Sequence, residues 1–401
     1  MINKEPDPTF LSLNAIQAIM QSPRYIINLA ALRHNLELLR DLKQEASCHI
    51  VLALKGFALW KCFPLISEYL DGCCASGLWE AKLSHDKMGL HTLTYSPAYK
   101  DSELKDLLEI SHHLDFNSPS QWLRYRETVT SHPRFQSGKL KCGIRINPEH
   151  STGSTPIYDP CASGSRLGTT AEQLKHLDLN GITGFHFHTL CEQYTHDLAS
   201  TLEAIDDKFG DYLRHPEITW LNMGGGHWIT KPDYDRAHLI ELIKATQQRY
   251  QLQEIWLEPG EAIAIHSGVL EANVVDIVHN AGHQIAILDV SATCHMPDVL
   301  EMPYRPDVFG PNGAPANTDG DHLYRLAGPS CLAGDVIGDY AFHAPLKVGD
   351  TLTFDDMAHY TMVKTTTFNG VPHPDIVLKH EDGTLETVRQ FTYSDFRDRL
   401  S

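Results

Sequence analysis

Several side chains that could do chemistry directly follow apolar runs in this sequence. Lys55 follows the run HIVLAL, and the segment GFHFH places His186 and His188 at alternate positions. A lysine after a buried strand either extends into solvent or is held in a pocket as a nucleophile. Two imidazoles on one face of a strand could bind a metal, stack on a flat ligand or lie in the core.

An anion site and a carboxylate are predicted further along the chain. The run MGGGHW contains Gly224, Gly225 and Gly226. Because glycines lack Cβ atoms, their backbone N–H groups could converge on a phosphate, although such a run is often only a mobile turn. The segment LEPGEA places Glu258 at the end of another apolar run. Its carboxylate could hold a cationic ring nitrogen or could cap a helix.

A thiol and a phenol complete the candidate set. The turn-rich segment GPSCLAGD presents Cys331, and MAHYT contains Tyr360. A single cysteine is by default a buried, inert thiol, and the tyrosine could bond a phosphate oxygen or cover the core. A reactive lysine, a glycine-rich phosphate site, a stacking imidazole and a carboxylate for a ring nitrogen are together the groups needed to hold pyridoxal 5′-phosphate (PLP).

These residues need a scaffold that brings strand ends together. Eight short apolar runs rich in β-branched residues are each followed by an amphipathic helical stretch, which predicts a (β/α)8 barrel, with an open doubly wound sheet as the alternative. In such a barrel the active site lies at the C-terminal ends of the strands. The runs begin near His49, Gly72, Thr92, Leu114, Lys141, Gly184, Thr219 and Glu254.

A second domain is predicted after about Val269, where alternating runs indicate antiparallel strands. The predicted fold class is therefore α/β, with a barrel over residues 25–268 and a mainly antiparallel β domain built from residues 1–24 and 269–401. The stretch Met302–Asp321 is dense in Pro, Gly, Asn and Asp, and predicts a long surface loop.

Composition and charge narrow the classes of partner. The chain has 401 residues, 42% of them hydrophobic, and a formal net charge of −18. This is a globular composition, and the negative charge disfavours nucleic acid and anionic membrane surfaces. No apolar run is long enough to span a membrane, no export signal is recognisable, and nine scattered cysteines indicate reduced thiols. We therefore expect a cytoplasmic protein.

The sequence resembles the fold-type III PLP-dependent decarboxylases, which include the ornithine and diaminopimelate enzymes and share an alanine-racemase-like barrel followed by a β domain. Within them it is most similar to the carboxynorspermidine/carboxyspermidine decarboxylase branch. The resemblance spans nearly the whole chain. The motifs that carry it are ALKGF, CCASGLWEAKL, YDPCASGSRLG, GFHFHTLCE, MGGGHW, LEPGEA, DVSATCHMPDVLEMPYRP, GPSCLAGD and MAHYTMVKTTTFNG.

The resemblance implies a role for each candidate residue. Lys55 would bind PLP covalently, His188 would stack on its ring, and Glu258 would pair with its ring nitrogen. Gly224, Gly225, Gly226 and Tyr360 would hold the phosphate. Cys331 would come from a partner subunit and donate a proton after CO2 leaves, which implies a homodimer with shared active sites and no metal.

The same resemblance implies the activity, with two departures from the wider family. The ornithine and diaminopimelate enzymes usually have EPGR where this chain has EPGE, and an acidic residue where it has Leu332. We therefore expect decarboxylation of carboxynorspermidine or carboxyspermidine in polyamine biosynthesis, with Asp298, Glu301 and Asp335 as candidates to bind the cationic tail. The alternatives are a diaminopimelate decarboxylase, a metal-dependent barrel hydrolase and a non-catalytic regulator.

Overall fold

The computed structural model describes residues 22–153, 155–316 and 320–401. Within these ranges the chain forms two compact units, one made of residues 31–265 and the other of residues 22–30 and 266–401. The prediction for residues 1–24 falls largely on residues 1–21, which lie outside the described residues. No helix within the described ranges is long and apolar enough to cross a lipid bilayer.

Strands and helices alternate through residues 31–265, and strands dominate after them. The strands, numbered along the chain, are β1 (Arg24–Asn28), β2 (His49–Ala53), β3 (Gly72–Ala75), β4 (His91–Tyr95), β5 (His113–Phe116), β6 (Lys141–Arg145), β7 (Gly184–His186), β8 (Trp220–Asn222), β9 (Glu254–Leu257), β10 (Gly268–Asn280), β11 (His283–Leu288), β12 (Val308–Phe309), β13 (Pro315–Ala316), β14 (His322–Ala327), β15 (Val336–Phe342), β16 (Thr351–Phe354), β17 (Asp375–Lys379) and β18 (Leu385–Arg389). The helices are Leu29–Ala46, Phe63–Ile66, Leu78–Leu83, Asp101–Ile110, Pro119–Thr130, Pro133–Gln136, Ala171–Leu174, Thr195–Leu213, Arg236–Tyr250, Glu261–Ala264, Ala292–His295, Asp298–Glu301 and Tyr393–Arg397.

The barrel unit contains the eight parallel strands that the sequence predicts. Strands β2 to β9 pair in chain order, and β9 pairs with β2 to close the barrel. Each of the eight predicted runs forms one of these strands, so the closed barrel is confirmed and the open doubly wound sheet is wrong. Because all eight strands run in the same direction, their C-terminal ends, and the residues that follow them, meet at one end of the barrel.

Local signals explain where the barrel helices begin and end. Pro119 occupies the first helical turn, and the Ser118 side chain accepts a hydrogen bond from the Gln121 backbone N–H, as expected of an N-cap. The helix that begins at Leu78 is α-helical to Leu83, and a π turn over Ser84–Met88 completes it. It stops at Gly89, whose φ of 69° is readily adopted by glycine.

Aromatic side chains fill the barrel at the N-terminal ends of its strands. Trp220 and Trp256 pack with Val51 and Leu93, and all four are buried. A Cβ atom at Gly184 would lie 2.0 Å from Trp220 Cδ2, so the indole occupies the space that a side chain at this position would need. Glycine at the start of β7 is therefore required by this core.

The sheet unit contains β1 and β10–β18, mainly in antiparallel pairs. The long strand β10 pairs with β1 and β16 along its first half and with β11 along its second half. The parallel pairs are β1 with β17 and β11 with β14. The core of this unit includes Tyr25, Leu270, Leu288, Tyr340 and Phe354.

Two features of this unit differ in detail from the sequence expectation. Residues 25–28 of β1 lie in the predicted barrel range, but β1 pairs with β10 and β17, because Ile26 packs with Val269 and Val377. The predicted loop Met302–Asp321 is largely irregular, but it contains the short antiparallel pair β12 and β13. Residues 317–319 of that loop lie outside the described residues.

Candidate active site

Lys55 lies just after β2, and its amine contacts an imidazole that follows β7. Lys55 Nζ is 3.0 Å from His188 Nε2, although the two residues are 133 positions apart in the chain. The other ring nitrogen, His188 Nδ1, accepts a hydrogen bond of 3.0 Å from the Gly225 backbone N–H. A neutral imidazole that accepts at Nδ1 carries its proton on Nε2. Nε2–H therefore donates to Nζ, which requires the unprotonated, nucleophilic form of the lysine.

The surroundings of this pair favour the same protonation states. Burial lowers the pKa of Lys55, and the positive charge of Arg145 acts in the same direction. Part of the Lys55 side chain is open to solvent, but dense protein surrounds its amine. Burial also lowers the pKa of His188 well below its ordinary value, with the charges of Lys55 and Arg145 adding to the effect. Burial therefore favours the neutral form of each of these two groups.

The three glycines after β8 are required by close packing of the backbone. Gly224 and Gly226 have φ values of 72° and 85°. A Cβ atom at Gly225 would lie 2.1 Å from the carbonyl oxygen of Glu258, and one at Gly226 would lie 1.9 Å from that of Leu190. Any side chain here would push apart the segments that follow the barrel strands.

The backbone N–H groups of this run are partly used within the protein. The Gly224 N–H donates to Asn222 Oδ1 at 2.9 Å, and the Gly225 N–H donates to His188 Nδ1. Gly224 and Gly225 thereby set the positions of Asn222 and His188. Phosphate binding by the three glycines stays a prediction.

Glu258 directly follows β9, and a hydrogen bond holds one of its carboxylate oxygens. Asn222 Nδ2 donates to Glu258 Oε1 at 2.5 Å, and His186 Nε2 lies 3.5 Å from Oε2. Its own backbone N–H donates to the Gly224 carbonyl. With 9% of its surface exposed, Glu258 is a nearly buried and oriented acceptor, which is what a cationic ring nitrogen requires.

Three polar residues near this site were missed by the sequence analysis. Arg145 Nη2 donates to the His188 carbonyl at 3.1 Å, and the Arg145 guanidinium lies 4.5 Å from the Tyr95 ring centroid. Asn222 anchors Glu258, and Asp115 Oδ2 lies 3.1 Å from His186 Nδ1. Each of the three lies at or next to the C-terminal end of a barrel strand, and that position was the signal that could have identified them.

Cys331 and Tyr360 belong to the sheet unit. Cys331 is exposed, and its backbone N–H donates to Asn369 Oδ1 at 2.7 Å. Tyr360 has a φ of 52°, which is uncommon for an aromatic residue, and its ring meets that of His359 edge to face. Their roles in proton donation and phosphate binding stay predictions.

The three acidic residues predicted to bind a cationic tail have partners within the sheet unit. Lys364 Nζ contacts both Asp298 and Glu301, the latter at 2.6 Å, so this cluster carries one net negative charge. Asp335 is buried and accepts from Ser291 Oγ at 2.8 Å. The hydrogen bonds of Asp335 stabilise a turn, which explains why this carboxylate is buried. The Asp298–Glu301 pair has one lysine for two carboxylates and therefore keeps an excess of negative charge.

The side chains of the barrel fit PLP better than a metal ion. Among the residues that the structure describes, no three or more His, Cys, Asp or Glu side chains converge as metal ligands would. The barrel does supply the Lys55 amine, an oriented carboxylate at Glu258 and the run of three glycines at positions 224–226. These are the groups needed for the carbonyl, the ring nitrogen and the phosphate of that cofactor.

Comparison with known proteins gives matches over most of the chain. The profile of the family described as pyridoxal-dependent decarboxylase, C-terminal sheet domain, matches residues 25–358. The carboxyaminopropylagmatine decarboxylase of Synechocystis is 46% identical over 381 residues, covering 95% of this chain and 96% of that protein. The carboxynorspermidine/carboxyspermidine decarboxylase of Campylobacter jejuni is 40% identical, covering 94% of this chain and 98% of that protein.

Solved structures agree with this assignment. The crystal structure of carboxynorspermidine decarboxylase from Campylobacter jejuni, complexed with norspermidine, matches with a TM-score of 0.84 at 39% identity, over 95% of this chain and all of that one. Diaminopimelate decarboxylase from Helicobacter pylori shares the fold, with a TM-score of 0.79 at 17% identity. The resemblance inferred from the motifs is therefore confirmed, and the chain belongs to the pyridoxal-dependent decarboxylase family.

Proposed function

We propose that this protein is a PLP-dependent decarboxylase that removes the α-carboxylate of a carboxylated linear polyamine. The products would be norspermidine from carboxynorspermidine and spermidine from carboxyspermidine, which places the reaction in polyamine biosynthesis. The observation that carries the proposal is the unprotonated Lys55 amine, held by His188 beside an anchored Glu258. The 40% identity to the Campylobacter jejuni enzyme supports this substrate class.

Each side chain of the barrel would have a separate task. His188 would favour the unprotonated Lys55 amine, which could then bind the carbonyl of PLP, while Gly224, Gly225 and Gly226, with Tyr360, would hold the phosphate. When bound, PLP accepts the electron pair that remains after CO2 leaves. The Glu258 carboxylate favours the protonated ring nitrogen, because an opposite charge stabilises the charged form. Cys331 then gives a proton to the α-carbon.

A second substrate of the same class is supported by the relative from Synechocystis. That protein is a carboxyaminopropylagmatine decarboxylase and is 46% identical to this chain. An agmatine tail ends in a planar guanidinium, which carboxylates bind through two parallel hydrogen bonds, whereas an ammonium acts as a point charge. Asp298 and Glu301, with their one net negative charge after pairing with Lys364, are the proposed site for either tail.

We propose a homodimer in which Cys331 of one chain serves the Lys55 of the other. The exposure of Cys331 supports this arrangement. Lys55→Ala and Cys331→Ala should each be inactive alone. If the two variants are mixed and allowed to exchange subunits, heterodimers with one intact site form, and activity should return to about a quarter of the wild-type value. Failure to regain activity after confirmed subunit exchange would contradict shared sites.

The cytoplasm is the proposed compartment. All nine cysteines are free thiols in the structure, including the exposed Cys331. Free thiols persist in a reducing compartment.

The experiment that tests the function follows the visible absorbance of the purified protein, its reduction by borohydride and peptide mapping of the adduct. The reduced cofactor should be attached to Lys55, and a Lys55→Ala sample should carry none. Release of CO2 is then assayed with carboxynorspermidine, carboxyspermidine and carboxyaminopropylagmatine, with diaminopimelate and ornithine as controls. A protein that takes up no PLP, or that releases CO2 from none of the three polyamines, refutes the proposal.

A further inference from the structure

His186 is buried in the barrel between two carboxylates, and none of the roles assigned above uses it. Its Nδ1 lies 3.1 Å from Asp115 Oδ2, and its Nε2 lies 3.5 Å from Glu258 Oε2. The exposed fractions of His186 and Asp115 are both 2%. Within the described part of the chain, neither ring nitrogen has a hydrogen-bond partner by strict geometry, and these two carboxylates are its charged neighbours. The two carboxylates are thus the polar groups available to this imidazole.

The charges around His186 select one arrangement of protons. Burial lowers the pKa of His186 to about 4, the Glu258 charge opposes this shift, and the charges of Arg145 and Lys55 add to it. Burial raises the pKa of Asp115 to about 8, against the effect of Arg145. At neutral pH the imidazole is therefore neutral, and Asp115 is largely protonated. A neutral imidazole has one donor and one acceptor, so Asp115 O–H donates to Nδ1 and Nε2–H faces Glu258.

This arrangement puts a donor against each oxygen of Glu258. Asn222 Nδ2 holds Oε1, and His186 Nε2–H faces Oε2. Donors that face both oxygens of a carboxylate restrict its orientation. A phenylalanine at position 186 would fill similar space but would leave Oε2 without this donor.

We propose that His186 is a positioning residue that acts through Glu258: it holds that carboxylate in one orientation, and Asp115 fixes the imidazole tautomer that does so. The inference rests on the proposed function, because the pairing of Glu258 with the ring nitrogen of PLP belongs to it. It goes further because it gives His186, the other histidine of the GFHFH segment, a task distinct from that of His188.

The experiment compares His186→Phe with His186→Gln and with a matched control, His113→Phe. His113 is another buried barrel histidine, packed against Trp220 in the core at the N-terminal ends of the strands. For each holoenzyme we would measure the PLP dissociation constant, the pH dependence of the visible absorbance, and kcat and KM separately. Gln keeps a donor and an acceptor, so it should retain most of the function.

The expected result is a His186→Phe protein that binds PLP about tenfold more weakly, because the imidazole donor that faces the buried Glu258 carboxylate is lost. The pH of its spectral transition should shift, and kcat should fall with little change in KM. His186→Gln should lie near the wild type, and His113→Phe should keep wild-type PLP affinity and spectra even if its stability falls. His186→Phe with wild-type affinity and spectra would overturn the inference.

A second pair of variants keeps the inference testable if His186→Phe does not fold. Asp115→Asn retains an N–H donor toward His186 Nδ1, whereas Asp115→Leu removes it and lets the tautomer reverse. The Leu variant should show the spectral shift, and the Asn variant should not; identical spectra for the two would overturn the inference. Failure of the proposed function is distinguishable, because the wild-type protein itself would then carry no cofactor on Lys55.

Discussion

Asn222 offers a direct test of how the candidate site is held together. This fully buried side chain donates to Glu258 Oε1 at 2.5 Å and accepts from the Gly224 N–H at 2.9 Å. Asn222→Ala removes both bonds. The bond to the ionised carboxylate contributes about 1.5–3 kcal/mol and the other about 1 kcal/mol, so the free energy of unfolding should fall by about 2.5–4 kcal/mol.

Asn222→Asp separates the two bonds. An aspartate can still accept from the Gly224 N–H, but it places a second carboxylate beside Glu258. Two such groups share a proton, so the pKa of the pair rises above the unfolded value. The native state then binds more protons than the unfolded state, and stability should fall as pH rises above about 4, by up to ~1.4 kcal/mol per pH unit.

The assay is urea unfolding without added PLP, so that cofactor binding does not add to the measured stability, repeated between acidic and neutral pH. Asn222→Ala introduces no titratable group and is the control for the pH dependence of Asn222→Asp. If Asn222→Ala unfolds within about 0.5 kcal/mol of the wild type, and the stability difference between Asn222→Asp and Asn222→Ala does not change with pH, the reasoning is refuted.

Two further predictions concern stability. Gly226→Ala should lower the free energy of unfolding by more than about 2 kcal/mol, because its Cβ would lie 1.9 Å from the Leu190 carbonyl oxygen. Gly383 has the same φ of 85° but no neighbouring atom near its Cβ position, so Gly383→Ala should lower that free energy by only about 1 kcal/mol. Equal decreases in melting temperature for the two variants would contradict this prediction. Burial alone would raise the pKa of Asp356. The charges of His359 and His266, a hydrogen bond from the His359 side chain and one from the His266 backbone N–H together hold this pKa below its ordinary value of 3.8. Asp356 therefore stabilises the fold above about pH 4, and this stabilisation is lost as the pH falls below that value. Asp356→Asn should lower the free energy of unfolding at neutral pH, and that free energy should then depend less on pH in the acid range. An unchanged pH dependence in the acid range would count against the assignment.

Much of the fold could be predicted because the barrel repeats one simple pattern. Each apolar run rich in β-branched residues became a strand, and closure followed from eight similar parallel units. The boundary at β1 was less predictable, because its apolar pattern suits either unit. Pairing with β10 and β17, far along the chain, assigns it to the sheet unit.

The candidate site was predictable only in part, because residue type reveals a group that could react but not its neighbours. Lys55, His188 and Glu258 stood out as polar residues after apolar runs. Arg145 and Asn222 did not, since each reads as an ordinary strand residue until the strand ends converge.

The sequence by itself determined the barrel, the motifs of the decarboxylase family and the identity of the residues that could bind PLP. Only the tertiary structure decided their states. The Gly225 N–H fixes the tautomer of His188, and that tautomer requires an unprotonated Lys55. Likewise, Lys364 partly neutralises the predicted tail-binding carboxylates. The physical reason is that protonation and hydrogen-bond direction depend on which groups meet, and parallel strands bring together groups that lie far apart in the chain.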